Sequence, residues 1–151
     1  MEGIVQTIRE QKLRTGYIAS ITGSVVRSSM MVYDAHGEGA HTRLVELEGP
    51  MEVSGHGTFG IVDAPEQGSR PFAKPGYVHG DPYVHVHLTC TSATQTVLGH
   101  LWTGGTPIKS ANHPVSHFTV FIVEVVGAEL QVKCDAQTRE QYHFITEVAV
   151  R

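Results

Sequence analysis

Cysteine is nearly absent from this sequence: Cys90 and Cys134 are the only two in 151 residues. Two thiols are too few for a disulfide framework or a thiolate zinc site. Positive charge is also scarce, with eleven Lys and Arg against fifteen Asp and Glu, a formal charge of −4 when histidine is neutral. Proteins that coat nucleic acid or anionic membranes rely on clustered positive charge. Here the largest cluster, Arg9, Lys12 and Arg14, is interleaved with Glu10. No apolar run approaches the roughly 18–20 residues that span a bilayer, and the opening residues lack the apolar core of a secretory signal. A cytoplasmic protein without a membrane partner is expected. The length suits one domain, residues 1–151, with a sizeable core. Against these shortages stand ten histidines.

The opening stretch EGIVQTIREQKL places Ile4, Val5, Ile8 and Leu13 on one helical face. A helix from about Gly3 to Leu13 is expected, ended at Thr15-Gly16, where glycine takes a left-handed cap conformation. The chain beyond Gly16 reads as strands. YIASITGSVVRSSMMVYD is rich in β-branched and aromatic residues, and Gly23 interrupts it as a bulge or bend would. TRLVELEG alternates, with Leu44 and Glu46 on one face and Val45 and Leu47 on the other, and MEVSGHGTFGIVD continues the pattern. YVHVHLTC, TVLGHLWT and SHFTVFIVEVVGAEL are three further strands, and Leu130 to Val150 has room for one or two more. There is no βαβ alternation. The expected class is α+β: an antiparallel, partly barrel-like sheet with one N-terminal amphipathic helix.

The segment from Asp63 to Pro82 differs in kind, holding Pro65, Pro71, Pro75 and Pro82 and no periodicity. Proline fixes φ and removes a ladder donor, so this is not a central strand. It reads either as a surface excursion or as a lid, binding loop or subunit contact, with Arg70, Lys74 and Tyr77 available to cover a pocket.

Six histidines fall between His79 and His117: His79, His85, His87, His100, His113 and His117. In YVHVHLTC, alternation puts Val84, Val86, Leu88 and Cys90 on one face and His85, His87 and Thr89 on the other. A four-residue loop, Ser92 to Gln95, pairs Thr91 with Thr96, which sets Cys90 opposite Val97, Leu88 opposite Gly99 and His87 opposite His100. A one-residue slip would put His100 among the valines, so the apolar pattern selects this register. His87 and His100 then lie about 5 Å apart at Cβ, with His85 diagonal to His100. Three neutral imidazoles with open positions suit zinc, or nickel, cobalt, copper or iron. A lone strand histidine is ordinarily a hydrogen-bonded surface residue; three that converge by register point to a metal. His117 and His79 are candidates for an extra ligand. His36, His41, His56, His113 and His143 carry no such argument.

The order ASITGSVVRSSM, LEGPMEVSGHGTFG, YVHVHL and LGHLWTGG resembles the plant-and-prokaryote-conserved (PPC) domain family, from roughly Glu2 to Phe144. The resemblance implies a small α+β domain that forms homotrimers, with a divalent metal, zinc, held by His85, His87 and His100. Plant relatives join the domain to an AT-hook, and bacterial ones carry a DNA-binding label from that association. Here the AT-hook core is absent, since Arg70-Pro71 is the one Arg-Pro pair and lacks a flanking Gly-Arg. Leu98-Gly99-His100 stands where the family has Gly-Gly-His. No counterpart is expected here for the strand that often precedes the family helix, and the loop from Asp63 to Pro82 is expected to be longer than usual.

Three functions are open to these residues. The first is a metal-binding trimeric module for assembly, sensing or partner binding. The second is a metal-dependent hydrolase or lyase with a small-molecule ligand, since a three-histidine ion with a free position acidifies bound water. No carboxylate adjoins the three histidines in sequence, which leaves Glu46, Glu48, Glu52 and Glu124 as candidate bases. The third, DNA binding, rests on the family label and runs against the net charge. Histidine binds metal only when neutral, so release is expected as pH falls through about 6.

Overall fold

The computed structural model describes residues 1–34, 41–67, 76–102, 108–110, 117–135 and 141–149. Among these residues are one α-helix, α1 (Glu2–Glu10), a 3-10 turn (Pro65–Gln67) and eight strands: β1 (Gly16–Asp34), β2 (His41–Val62), β3 (Pro82–Thr91), β4 (Thr96–Leu101), β5 (Ile108–Ser110), β6 (Phe118–Glu124), β7 (Ala128–Cys134) and β8 (Gln141–Glu147). Hydrogen bonding orders them β5-β1-β4-β3-β2-β7-β8, with β6 on β1 and a further β1–β2 pairing. No helix among the described residues is long and apolar enough to cross a membrane.

The chain groups into two compact units. The first comprises Met1–Tyr17, Thr58–Val84 and Ile122–Arg151. In it α1 buries Ile8, and Val62, Ala64, Tyr83 and Val132 form a core against which Tyr77 packs. Helix α1 stops earlier than its apolar spacing suggests. Lys12, not Gly16, takes the left-handed conformation, at φ 55°. Lys12 N–H bonds to the Arg9 carbonyl and Leu13 N–H to the Ile8 carbonyl, the paired bonds of a Schellman ending. A β-carbon in that region costs about 1–2 kcal/mol, which the two carbonyl bonds offset.

The sheet is mainly antiparallel but not wholly so. Ile61 and Val62 of β2 run parallel to Gln131 and Val132 of β7, which corrects the antiparallel expectation at this one pairing. The long apolar run from Ser116 to Leu130 is also not one strand: it breaks between β6 and β7, where Gly127 sits at φ 86°. Strand β5 was not expected at all. Conversely, the two segments read separately as TRLVELEG and MEVSGHGTFGIVD form the single strand β2.

The second unit comprises Ile18–Gly57 and His85–Phe121. Its buried apolar residues include Ile18, Ile21, Val25, Met30, Leu47, Met51, Val53, Val86, Leu88 and Leu101. Alternation is kept closely along β3, where Val84, Val86, Leu88 and Cys90 are buried while His85, His87 and Thr89 are half-buried on the opposite face. Close approach of strands requires glycine at two points in particular. A β-carbon on Gly99 would stand 2.8 Å from the Met31 carbonyl oxygen, and one on Gly55 would stand 2.6 Å from that of His87.

Candidate metal centre

Strands β3 and β4 pair in the register that the apolar pattern selects: His87 with His100, Leu88 with Gly99, Thr89 with Leu98, Cys90 with Val97 and Thr91 with Thr96. The next strand across, β1, places Met31 opposite His100 and Met30 opposite Leu101. The physical cause is the two-residue period: with Leu88 and Leu101 committed to the core, His87 and His100 can only face the other way.

His85 Nε2 lies 2.9 Å from His87 Nε2 and 3.1 Å from His100 Nδ1. The rings of His85 and His87 stack at 5.0 Å with 10° between planes, and His100 stands edge-on to His85 at 4.4 Å and 85°. One nitrogen from each ring falls within 4.8 Å of the others, and all three residues are half-buried. A tetrahedral ion with bonds of about 2.0–2.1 Å would space its nitrogens about 3.3 Å apart. The two separations from His85 lie close to that value and the third pair of nitrogens is within 4.8 Å, so the donor set fits a metal. Burial pushes the His100 imidazole below its ordinary range, and the neighbouring His87 adds to this. Both effects favour the neutral form, which is the one that coordinates.

The other histidines are placed elsewhere. In the first unit, His79 Nδ1 accepts the Ala64 N–H at 3.2 Å and stands 3.9 Å from Asp63 Oδ1. His117 is exposed, and its carbonyl accepts the Ser24 N–H. His56 is exposed on β2, and neither it nor His117 joins the group of three. His36, His113, Arg70 and Lys74 lie outside the described residues. Of the candidate bases, Glu46 and Glu48 face Arg27 at 3.2 and 3.9 Å, and Glu52 and Glu124 are exposed. No carboxylate joins the three histidines among the described residues.

Sequence reasoning missed a second polar pair. In the first unit, Tyr83 is 1% exposed, and its hydroxyl lies 2.8 Å from His143 Nε2. Tyr77 packs edge-on against the Tyr83 ring at 5.2 Å. Burial, reinforced by Tyr77, raises the Tyr83 phenol well above its usual range. Partial burial also lowers the His143 imidazole, so a neutral ring and a protonated phenol share this hydrogen bond. His143 alternates with Phe144 in the sequence and offered no sign that its partner would be a β3 tyrosine.

A family model for the Plants and Prokaryotes Conserved domain matches residues 1–113. No curated protein matches the chain. Solved structures share the fold at low identity. A plant- and prokaryote-conserved protein from Pyrococcus horikoshii is 16% identical, with a TM-score of 0.62 over 99% of this chain and 84% of its own. A metal-containing protein from Archaeoglobus fulgidus is 19% identical, with a TM-score of 0.61 over 98% and 84%. A protein from Ralstonia eutropha, named as a DNA-binding candidate, is 17% identical, with a TM-score of 0.53 over 95% and 81%. With three quarters of its length inside the family model, the chain belongs to the Plants and Prokaryotes Conserved domain family.

Proposed function

We propose that this chain is a metal-binding, homotrimeric module that holds a divalent ion, zinc in the first instance, on His85, His87 and His100. The observation that carries this reading is the convergence of three ring nitrogens, with His85 Nε2 2.9 and 3.1 Å from its neighbours. The metal-containing relative from Archaeoglobus fulgidus supports it. When bound, the ion supplies a Lewis-acidic centre with a position left over beyond the three imidazoles. The protein's own residues orient the donors. The β3–β4 register fixes where His87 and His100 stand, and burial keeps His100 neutral.

Binding is favoured over hydrolysis because Glu46 and Glu48 are engaged with Arg27 and no described carboxylate joins the group. A net charge of −4 weighs against DNA as the partner. Self-association is supported in each unit by large exposed apolar side chains, Phe121 on β6 and Ile145 on β8, 60% and 71% exposed. The partly barrel-like reading of the sheet is supported by the β1-β4-β3-β2 path returning through the β1–β2 pairing. We read residues 1–151 as working together as one domain, in the reducing cytoplasm, where a buried free thiol such as Cys90 persists.

Metal analysis of untagged protein tests the site: about one ion per chain is expected, lost in His87→Ala. A native protein that purifies free of metal and takes none up overturns the reading. Sedimentation equilibrium tests the trimer, and a monomer at micromolar concentration would refute it.

A further inference from the structure

Along β2, Met51 and Val53 are buried while Glu52, Ser54 and His56 are exposed, so even-numbered residues face outward there. Along β3 the parity is reversed: Val86 and Leu88 are buried and His85 and His87 lie on the outer side. The two strands are neighbours in the sheet, and two glycines show how they align. A β-carbon on Gly55 would run into the Leu88 side chain, and one on Gly57 would stand 3.1 Å from Val86 Cα. Gly55 therefore sits by Leu88 and Gly57 by Val86, which leaves His56 beside His87 on the same outer face. His87 has His100 as its partner on the other side, and His100 has Met31. One row across four strands thus reads Met31, His100, His87, His56.

We propose that His56 is a fourth imidazole ligand for the ion held by His85, His87 and His100. The inference rests on that three-histidine assignment. Side chains directly opposite on neighbouring strands have β-carbons about 4.5–5.5 Å apart, close enough for an imidazole on β2 to reach an ion above β3. His56 lies outside the 4.8 Å group in this conformation, and being exposed it can change rotamer without leaving a cavity. Its role is to close the shell. With His56 engaged, four neutral nitrogens surround the ion, the closed arrangement of a site that stores or braces a metal. With His56 turned away, one position opens to water or a small ligand, as catalytic sites require. Because the donors are neutral and no carboxylate joins them among the described residues, the ion would keep its full positive charge. That suits a borderline divalent cation such as zinc, cobalt or nickel over calcium or magnesium.

Cobalt(II) is the probe, titrated into the untagged full chain and into His56→Ala, His56→Gln and His87→Ala. The wild type should show the intense visible bands of tetrahedral cobalt, and X-ray absorption should count four imidazoles. Both His56 variants should weaken the bands, drop the count to three and lose on the order of 10–100-fold in affinity, a range that outer-shell partners already reach. Identical spectra, affinity and imidazole count in the wild type and both His56 variants would overturn the fourth ligand while leaving the three-histidine site intact. A sulfur scatterer that disappears in Met31→Leu would overturn it in favour of Met31. Failure of the wild type to take up cobalt at all would remove the underlying assignment, and this inference with it.

Discussion

His87 on β3 and His100 on β4 are direct antiparallel partners, with ring centroids 5.5 Å apart and planes at 86°. His85 adds a nitrogen within hydrogen-bonding distance of both. A neutral imidazole carries a single N–H, so His85 Nε2 can donate to one of these neighbours or accept from both, but cannot donate to both. An ion in their midst resolves the competition among the three lone pairs. Its binding should therefore stabilise the fold: added zinc at about 100 times its dissociation constant contributes about 2.7 kcal/mol. Thermal unfolding with and without zinc checks this. The wild-type midpoint should rise by several degrees and that of His100→Ala should not move; an equal rise in both would place the stabilising ion elsewhere.

Close strand approach at Gly57 makes a second expectation. A β-carbon there would collide with the His85 carbonyl and crowd the Val86 side chain at 3.1 Å. Overpacking of this kind costs about 1–3 kcal/mol, so Gly57→Ala should lower the urea midpoint and weaken metal binding by displacing β3. Gly3→Ala is the control, since nothing lies within 4 Å of its added β-carbon. Equal midpoints for the two variants would mean that β2 and β3 are not in close approach.

Buried Tyr83 shares a part-buried hydrogen bond with His143, which is exposed at the edge of the first unit's sheet. Removing the imidazole deletes this hydrogen bond to a buried phenol, at a net cost of about 0.5–1.5 kcal/mol. His143→Ala should therefore unfold at lower denaturant, and the double variant with Tyr83→Phe should recover part of the loss. A double-mutant cycle with no coupling between the two positions would show that the hydrogen bond contributes nothing to stability.

Glu129 sets a pH dependence. Burial on its own would raise its carboxyl, but hydrogen bonds from Gln131 and Arg14, and the charge of Arg14, outweigh burial and hold it below the ordinary value of 4.5. Arg14 Nη2 lies 2.6 Å and Gln131 Nε2 2.9 Å from its two oxygens. A carboxyl depressed in the folded state adds stability above its unfolded pKa and loses it as pH falls through the folded one. The wild type should thus exceed Glu129→Gln in stability at pH 7, and the gap should shrink below about pH 4.5. Urea titrations across pH 3–7 measure it, and a gap that stays constant would show that Glu129 titrates alike in the folded and unfolded chains.

Local periodicity carried much of this molecule. The alternation in residues 84–91 and 96–101 determined which face His85, His87 and His100 occupy and in what register they meet, because a one-residue slip would expose a row of core side chains. The initial helix and most strands were legible for the same reason. Other features depend on partners distant in sequence. The parallel pairing of β2 with β7, the short strand β5 and the Tyr83–His143 pair leave no period in the chain, since each arises when separate segments close on one another. The position of His56 beside His87 belongs to the same class. Sequence alone determined that three histidines face one way; only the tertiary structure, by packing Gly55 and Gly57 against β3, decided that a fourth stands in line with them.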